Sequence, residues 1–185
     1  MKRIFVAVKV NSSPQLIQVF NQIKLELKRD KINWVDSRNI HVTLKFIGET
    51  HESRIPEIVT VLEEVGRNHS PFEFELKNIG LFGSSYNPRV LWMGIQKASS
   101  LIELANDVLE CMDGIGFVRD RQNFVPHLTL GRIKRIDHKN HFQSIIDKYR
   151  HFDIQVQIVR SFYLIESVLR PSGPEYKILH TFDLK

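Results

Sequence analysis

A chain of 185 residues that is 42% hydrophobic and 25% charged can bury a core as one domain or as two closely fused lobes. No stretch approaches the roughly 20 apolar residues that span a membrane, and the single cysteine, Cys111, excludes an intrachain disulfide and a cysteine-rich zinc site and suits a reducing compartment. The formal net charge of +5 favours a polyanionic partner.

Ile4 to Val10 reads as a first strand. Its apolar run is too short for a signal-peptide core and is interrupted by Lys9, so the chain is expected to be cytoplasmic. Asn11-Ser12-Ser13 then caps a helix that has Pro14 at its first position and carries Leu16, Ile17, Phe20, Ile23 and Leu27 at helical spacing, predicting a helix to about Arg29. Trp34-Val35 and the connector Asp36 to Asn39 lead into a strand ending near Ile47. Ile55, Ile58, Val59, Leu62 and Val65 define a second helix, and Phe72 to Ile79 alternates as a strand. Gly80 to Pro88 is rich in turn formers and reads as a long functional loop or lobe crossover, the candidate cover for a substrate.

Arg89 to Gln96 is a strand, and Ser99 or Ser100 is placed to cap a helix carrying Leu101, Leu104, Ala105, Val108, Leu109 and Met112. Cys111 shares that helical pattern and reads as a small apolar residue rather than a nucleophile. A connector from Asp113 to Pro126 precedes another strand, and a polar, partly basic helix covers Asp137 to Arg150. Three more strands follow, Phe152 to Arg160, Ser161 to Val168 and Tyr176 to Leu184, with Pro171-Ser172-Gly173-Pro174 as the hairpin turn between the last two.

Within this order one phrase occurs twice, as His41-Val42-Thr43-Leu44 and as His127-Leu128-Thr129-Leu130, each in a strand. Side chains at i and i+2 share a face of a strand, so His41 joins Thr43 and His127 joins Thr129, with the apolar residues opposite. The flanking elements repeat as well: strand, helix, connector, motif strand, helix, strand. The connectors rhyme, Trp34 to Arg38 before the first motif and Phe117 to Arg121 before the second. Such a repeat implies two related lobes whose motif strands face each other across a cleft.

Two imidazoles divide the proton traffic that opening a cyclic phosphodiester requires. One takes a proton from water and the other gives one to the departing ribose oxygen. Threonine hydroxyls beside them are donors for the non-bridging oxygens, where charge builds up in the transition state. No aspartate or glutamate accompanies either motif on its strand face, so a zinc site lacks its further ligands. His51, His69, His138, His141, His151 and His180 are scattered and read as surface or satisfied positions. The Gly80 to Asn87 segment lacks the lysine-and-serine/threonine ending of a nucleotide P-loop. The basic run Arg132-Ile133-Lys134-Arg135 is either a contact for a nucleic-acid backbone or a solvated strand end. Phe46 and Arg132 stand five residues after their histidines. Strict alternation aims both away from the cleft, and only a bulge or a strand end brings them in.

The doubled motif resembles the two signatures of the 2H phosphoesterase superfamily. Within it the chain is most similar to the RNA 2′,3′-cyclic phosphodiesterases, also called 2′-5′ RNA ligases. Arg3 to Val8, Ile40 to Glu49, Pro88 to Trp92, Pro126 to Arg132, Tyr163 to Ser167 and Gly173 to Tyr176 carry the likeness over nearly the whole chain. The resemblance implies a single 1–185 unit of bilobal α+β fold, each lobe with an antiparallel sheet and helices. It also implies metal- and cofactor-free opening of an RNA 2′,3′-cyclic phosphate to a 2′-phosphate, with reversible 2′-5′ ligation as the same chemistry. His41 would be the proton donor, His127 the acceptor, and Thr43 and Thr129 the phosphate binders. A monomer acting on RNA or an oligonucleotide without an obligate protein partner is expected. The alternatives are a phosphodiesterase for a small cyclic nucleotide or ADP-ribose cyclic phosphate, and a non-catalytic RNA-binding module.

Overall fold

The computed structural model describes residues 1–84, 86–118, 124–171 and 173–185. These form nine strands and four α-helices: β1 (Lys2–Lys9), α1 (Pro14–Glu26), β2 (Lys31–Trp34), β3 (His41–Thr50), α2 (Ile55–Arg67), β4 (Phe72–Ser84), β5 (Asn87–Gln96), α3 (Ser99–Gly114), β6 (His127–Arg135), α4 (Lys139–Lys148), β7 (Asp153–Val159), β8 (Ser161–Arg170) and β9 (Gly173–Asp183). The Ser13 hydroxyl accepts from the Leu16 N–H at 3.1 Å and Pro14 opens α1, as the sequence predicts. At α3 the expectation fails. Ala98 occupies the N-cap and no serine side chain caps the helix, so its start rests on packing of its buried Leu101, Leu104, Ala105 and Val108.

The strands form two antiparallel sheets, ordered β3-β1-β8-β9 and β2-β6-β5-β4-β7. The expected repeat is present: β1, α1, β3, α2, β4 is matched by β5, α3, β6, α4, β7. The lobes, however, are not the two halves of the chain. The first motif pair, β1 with β3, is completed by the C-terminal β8 and β9. The second, β5 with β6, is completed by β4 and β2 from the first half and by β7. One apolar cluster joins them, running from Ile4, Val6 and Val8 through Val42 and Leu44 to Leu91, Met93, Leu128 and Leu130. The bilobal α+β architecture is therefore interlocked.

Two sequence readings change here. The short strand β2 is not among the expected strands; it precedes the Asp36 to Asn39 connector and pairs with β6 from Lys31 opposite Arg135 to Trp34 opposite Gly131. Gly80 to Ser84 is not a loop: β4 continues to Ser84 and turns tightly into β5 at Asn87, Ser85 itself lying outside the described residues. The glycines there have a packing reason. Gly80 lies opposite Trp92, and a Cβ on it would sit 2.3 Å from the indole, so only glycine lets that ring lie across the strand. Gly83 has φ +114 and takes up a register shift near the turn. The predicted hairpin at Pro171 to Pro174 is present, with Ser172 outside the described residues. In the second connector Arg119, Asp120 and Arg121 also lie outside them. No described helix is long and apolar enough to cross a membrane.

Candidate active site

Each motif strand buries its apolar side and presents its polar side. Val42, Leu44, Leu128 and Leu130 are buried in the shared core, while His41, Thr43, His127 and Thr129 are half-buried on the other face. β3 and β6 approach each other across the two sheets. The charge on His127 reaches His41, so the fold brings the two imidazoles into one electrostatic neighbourhood.

Both rings are held in the same way. His41 Nδ1 lies 2.7 Å from the Asn39 carbonyl oxygen, and His127 Nδ1 lies 2.7 Å from the Val125 carbonyl oxygen. A carbonyl only accepts, so Nδ1–H is the donor in both, and Nε2 is the nitrogen left to exchange protons. The carbonyl is two residues upstream each time, so the sequence repeat is also a repeat of tautomer control.

Aromatic rings wall each imidazole. Phe5 lies 5.0 Å from the His41 ring and Tyr176 packs edge-on to it at 5.4 Å, while Phe82 packs edge-on to His127 at 4.8 Å and itself leans on Trp92. Burial pushes both imidazoles below the usual histidine value, and the carbonyl bonds partly oppose this. For His41 the charge of His127 lowers it further. The Tyr176 phenol is pushed up by burial, against the pull of Arg3 and Arg132.

A β-bulge follows each motif at the same place. Ala7 faces Thr43 and Val6 faces Lys45, leaving Leu44 unopposed. Trp92 faces Thr129 and Leu91 faces Gly131, leaving Leu130 unopposed. The bulges reverse the alternation. Phe46 comes opposite Phe5, and Arg132 opposite Val90, on the imidazole side. The Arg132 charge acting on Tyr176 agrees with that placement. The bulge also turns Lys45 inward, where it is 4% exposed and its Nζ donates to the Val118 carbonyl at 2.7 Å. The corresponding Gly131 has no side chain to place, and a Cβ there would meet Ile32 at 2.7 Å.

The site thus gains residues that motif reading did not single out, Phe5, Phe82, Tyr176 and Arg3, while Arg132 comes in through a bulge of the kind the sequence reading required for it. Arg3 lies 5.0 Å over the Phe46 ring. The i, i+2 spacing of Arg3, Phe5 and Ala7 carried a signal for the first two. Tyr176 had none, because it reaches His41 only through the β8–β9 hairpin. The remaining histidines sit elsewhere. His69 pairs with Asp107 at 2.7 Å, His51 with the Ser53 hydroxyl, and His141 with the Glu26 carbonyl. Cys111 is half-buried on α3, and burial pushes its thiol up to about 11, far from a nucleophile. Among the described residues no three His, Cys, Asp or Glu side chains cluster closely enough to hold a metal ion.

Comparison with known proteins agrees with this layout. The family described as LigT like Phosphoesterase matches residues 7–92 and 94–176. The RNA 2′,3′-cyclic phosphodiesterase of Archaeoglobus fulgidus is 37% identical over 98% of this chain and 99% of its own length. That of Aquifex aeolicus is 33% identical over 100% and 99%. Among solved structures, TT0787 of Thermus thermophilus superimposes with a TM-score of 0.77 at 24% identity, covering 98% of this chain and 97% of that one. E. coli LigT complexed with 3′-AMP superimposes with 0.74 at 21% identity, covering 100% and 98%. At those identities the structures speak for the fold alone, whereas the family match spans both motifs. The chain belongs to the LigT-like phosphoesterase family.

Proposed function

We propose that this chain is an RNA 2′,3′-cyclic phosphodiesterase that opens the cyclic phosphate to a 2′-phosphate by two-histidine acid–base catalysis. The observation that carries the proposal is the pair of imidazoles on approaching strands, each with Nδ1 fixed by a carbonyl so that Nε2 is the nitrogen left for proton exchange. The names of the full-length relatives support the substrate class.

In this reading His127 Nε2 takes a proton from water as its oxygen attacks phosphorus. The P–O3′ bond breaks, and His41 Nε2–H delivers a proton to the departing O3′. The product is a 2′-phosphate with a free 3′-hydroxyl. One proton has moved from His41 to the ribose and one from water to His127, and exchange with solvent restores the starting state. The direction of the roles follows the family resemblance. Thr43 and Thr129 hydroxyls donate to the non-bridging oxygens, with Arg132 as the nearby cation. The same steps with an RNA 5′-hydroxyl in place of water form a 2′-5′ linkage, and run backward they cleave it to the cyclic phosphate and the 5′-hydroxyl.

The test is an oligoribonucleotide ending in a 2′,3′-cyclic phosphate, incubated with the protein and a chelator. A 2′-phosphate end is expected, and His41→Ala or His127→Ala should each slow turnover by about 10²–10⁴-fold. A 3′-phosphate product, an absolute need for a divalent ion, or no turnover would overturn the proposal.

A further inference from the structure

A cavity of about 300 Å³ is lined in part by His41, and a second of about 410 Å³ lies beside it. The first is walled by Lys9, Arg38, Asn39, Tyr176 and His41 itself, the second by Asn39, Tyr176 and the paired Asp36–Arg38 and Arg170–Glu175. Three shared residues make them one continuous groove running from the imidazole to the β8–β9 hairpin. Each is of the size that holds a nucleotide-sized ligand. The groove has aliphatic and aromatic walls at Ile165, Ile178 and Tyr176, with cations along its rim. That combination suits a base and the phosphate that follows it.

We infer that this groove carries the nucleotides immediately 5′ to the cyclic phosphate, so that the enzyme prefers the end of an RNA chain to a free cyclic mononucleotide. The inference rests on the phosphodiesterase reading above. With His41 protonating the departing ribose oxygen, the terminal ribose lies on the His41 side of phosphorus. Its O5′, and the chain attached there, then leave the site along the groove that opens at His41.

The rim is built to present its charge. Asp36 holds the Arg38 guanidinium through contacts of 2.6, 3.0 and 3.2 Å, although the Arg38 side chain is 86% exposed. Such a surface pair adds little to folding, but it fixes where the guanidinium points. Glu175 holds Arg170 at 3.0 Å on the far side of the same groove. The wall and the imidazole are also one segment. Asn39 accepts from His41 through its backbone carbonyl and donates from its side chain to the Pro174 carbonyl at 3.2 Å.

The experiment compares kcat/KM for a 2′,3′-cyclic mononucleotide with that for di- and tetranucleotides bearing the same end. It uses the wild type, the R38Q/R170Q variant and a control, K31Q/K134Q, that neutralises the other basic strip, on β2 and β6. The wild type should gain with chain length. In R38Q/R170Q the tetranucleotide-to-mononucleotide ratio should fall roughly tenfold for the two contacts together. The slope of log KM against log salt for the tetranucleotide should become shallower by about 1.4. The control should keep both. No gain with length in the wild type, a gain that survives in R38Q/R170Q, or one lost in K31Q/K134Q instead would overturn the inference while mononucleotide turnover leaves the phosphodiesterase reading standing. No turnover of any substrate by the wild type would end both.

Discussion

Each catalytic candidate is a histidine whose proton inventory is set by an upstream carbonyl and an aromatic wall, with the charge of His127 acting on His41 as well. The wall dominates, because taking an imidazolium out of water is costlier than one carbonyl bond restores. Both groups therefore titrate below the ordinary value of 6.5. The reaction needs one imidazole charged and one neutral, so kcat/KM, which reports the free enzyme, should follow a bell lying on the acid side of neutrality. Above pH 7 the acid imidazole has lost its proton and the rate falls. A pH profile on a cyclic mononucleotide checks this, and an alkaline optimum would contradict it. Tyr176 supplies a variant with a directional outcome. Its phenol stays neutral, and its ring lies against His41. Tyr176→Phe should leave the profile in place. Tyr176→Ala should admit water, raise the His41 value and move the corresponding limb to higher pH.

At the scale of the element, the paired bulges and the glycines do the positioning. Gly80→Ala would put a methyl group within 2.3–2.8 Å of the Trp92 ring, which is backed by Phe82, which in turn touches His127. Overpacking of this kind costs about 1–3 kcal/mol, or a fall in Tm of roughly 2–4 °C for each kcal/mol at this chain length. Activity should drop further than stability alone explains, because the ring that moves is linked to the imidazole. Adding Trp92→Leu should restore most of the lost Tm, a coupling readable in a double-mutant cycle. The same residues explain what was legible beforehand. The motif faces, α1 with its Ser13 cap and the β8–β9 hairpin follow from period and local turn chemistry, so the sequence shows them. Gly80, Gly83 and Pro88 look like loop punctuation because the ring that needs Gly80 lies on the next strand. The bulges at Leu44 and Leu130 have no local sign either. They are defined by a partner strand, and they decide that Arg132 faces the site.

At the scale of the molecule, the two imidazoles belong to different sheets, so their separation is only as fixed as the relation between those sheets. Interlocking supplies the constraint. Separating the sheets would pull β8 and β9 away from β7, which joins them in sequence but lies in the other sheet. α3 touches β3 in one sheet and β4 in the other, and the apolar cluster is common to both. Opening the cleft by moving one lobe would therefore expose core, which costs about 25 cal/mol for each Å² of apolar surface. Loss of function and loss of structure should then coincide. In a urea titration three signals should share one midpoint: turnover, the fluorescence of Trp34 and Trp92 on the larger sheet, and labelling of the Cys111 thiol on α3, which burial protects in the native state. Turnover that disappears at clearly lower urea than the fluorescence change would mean that the sheets part before either unfolds. The interlock would then not be what holds His41 and His127 together.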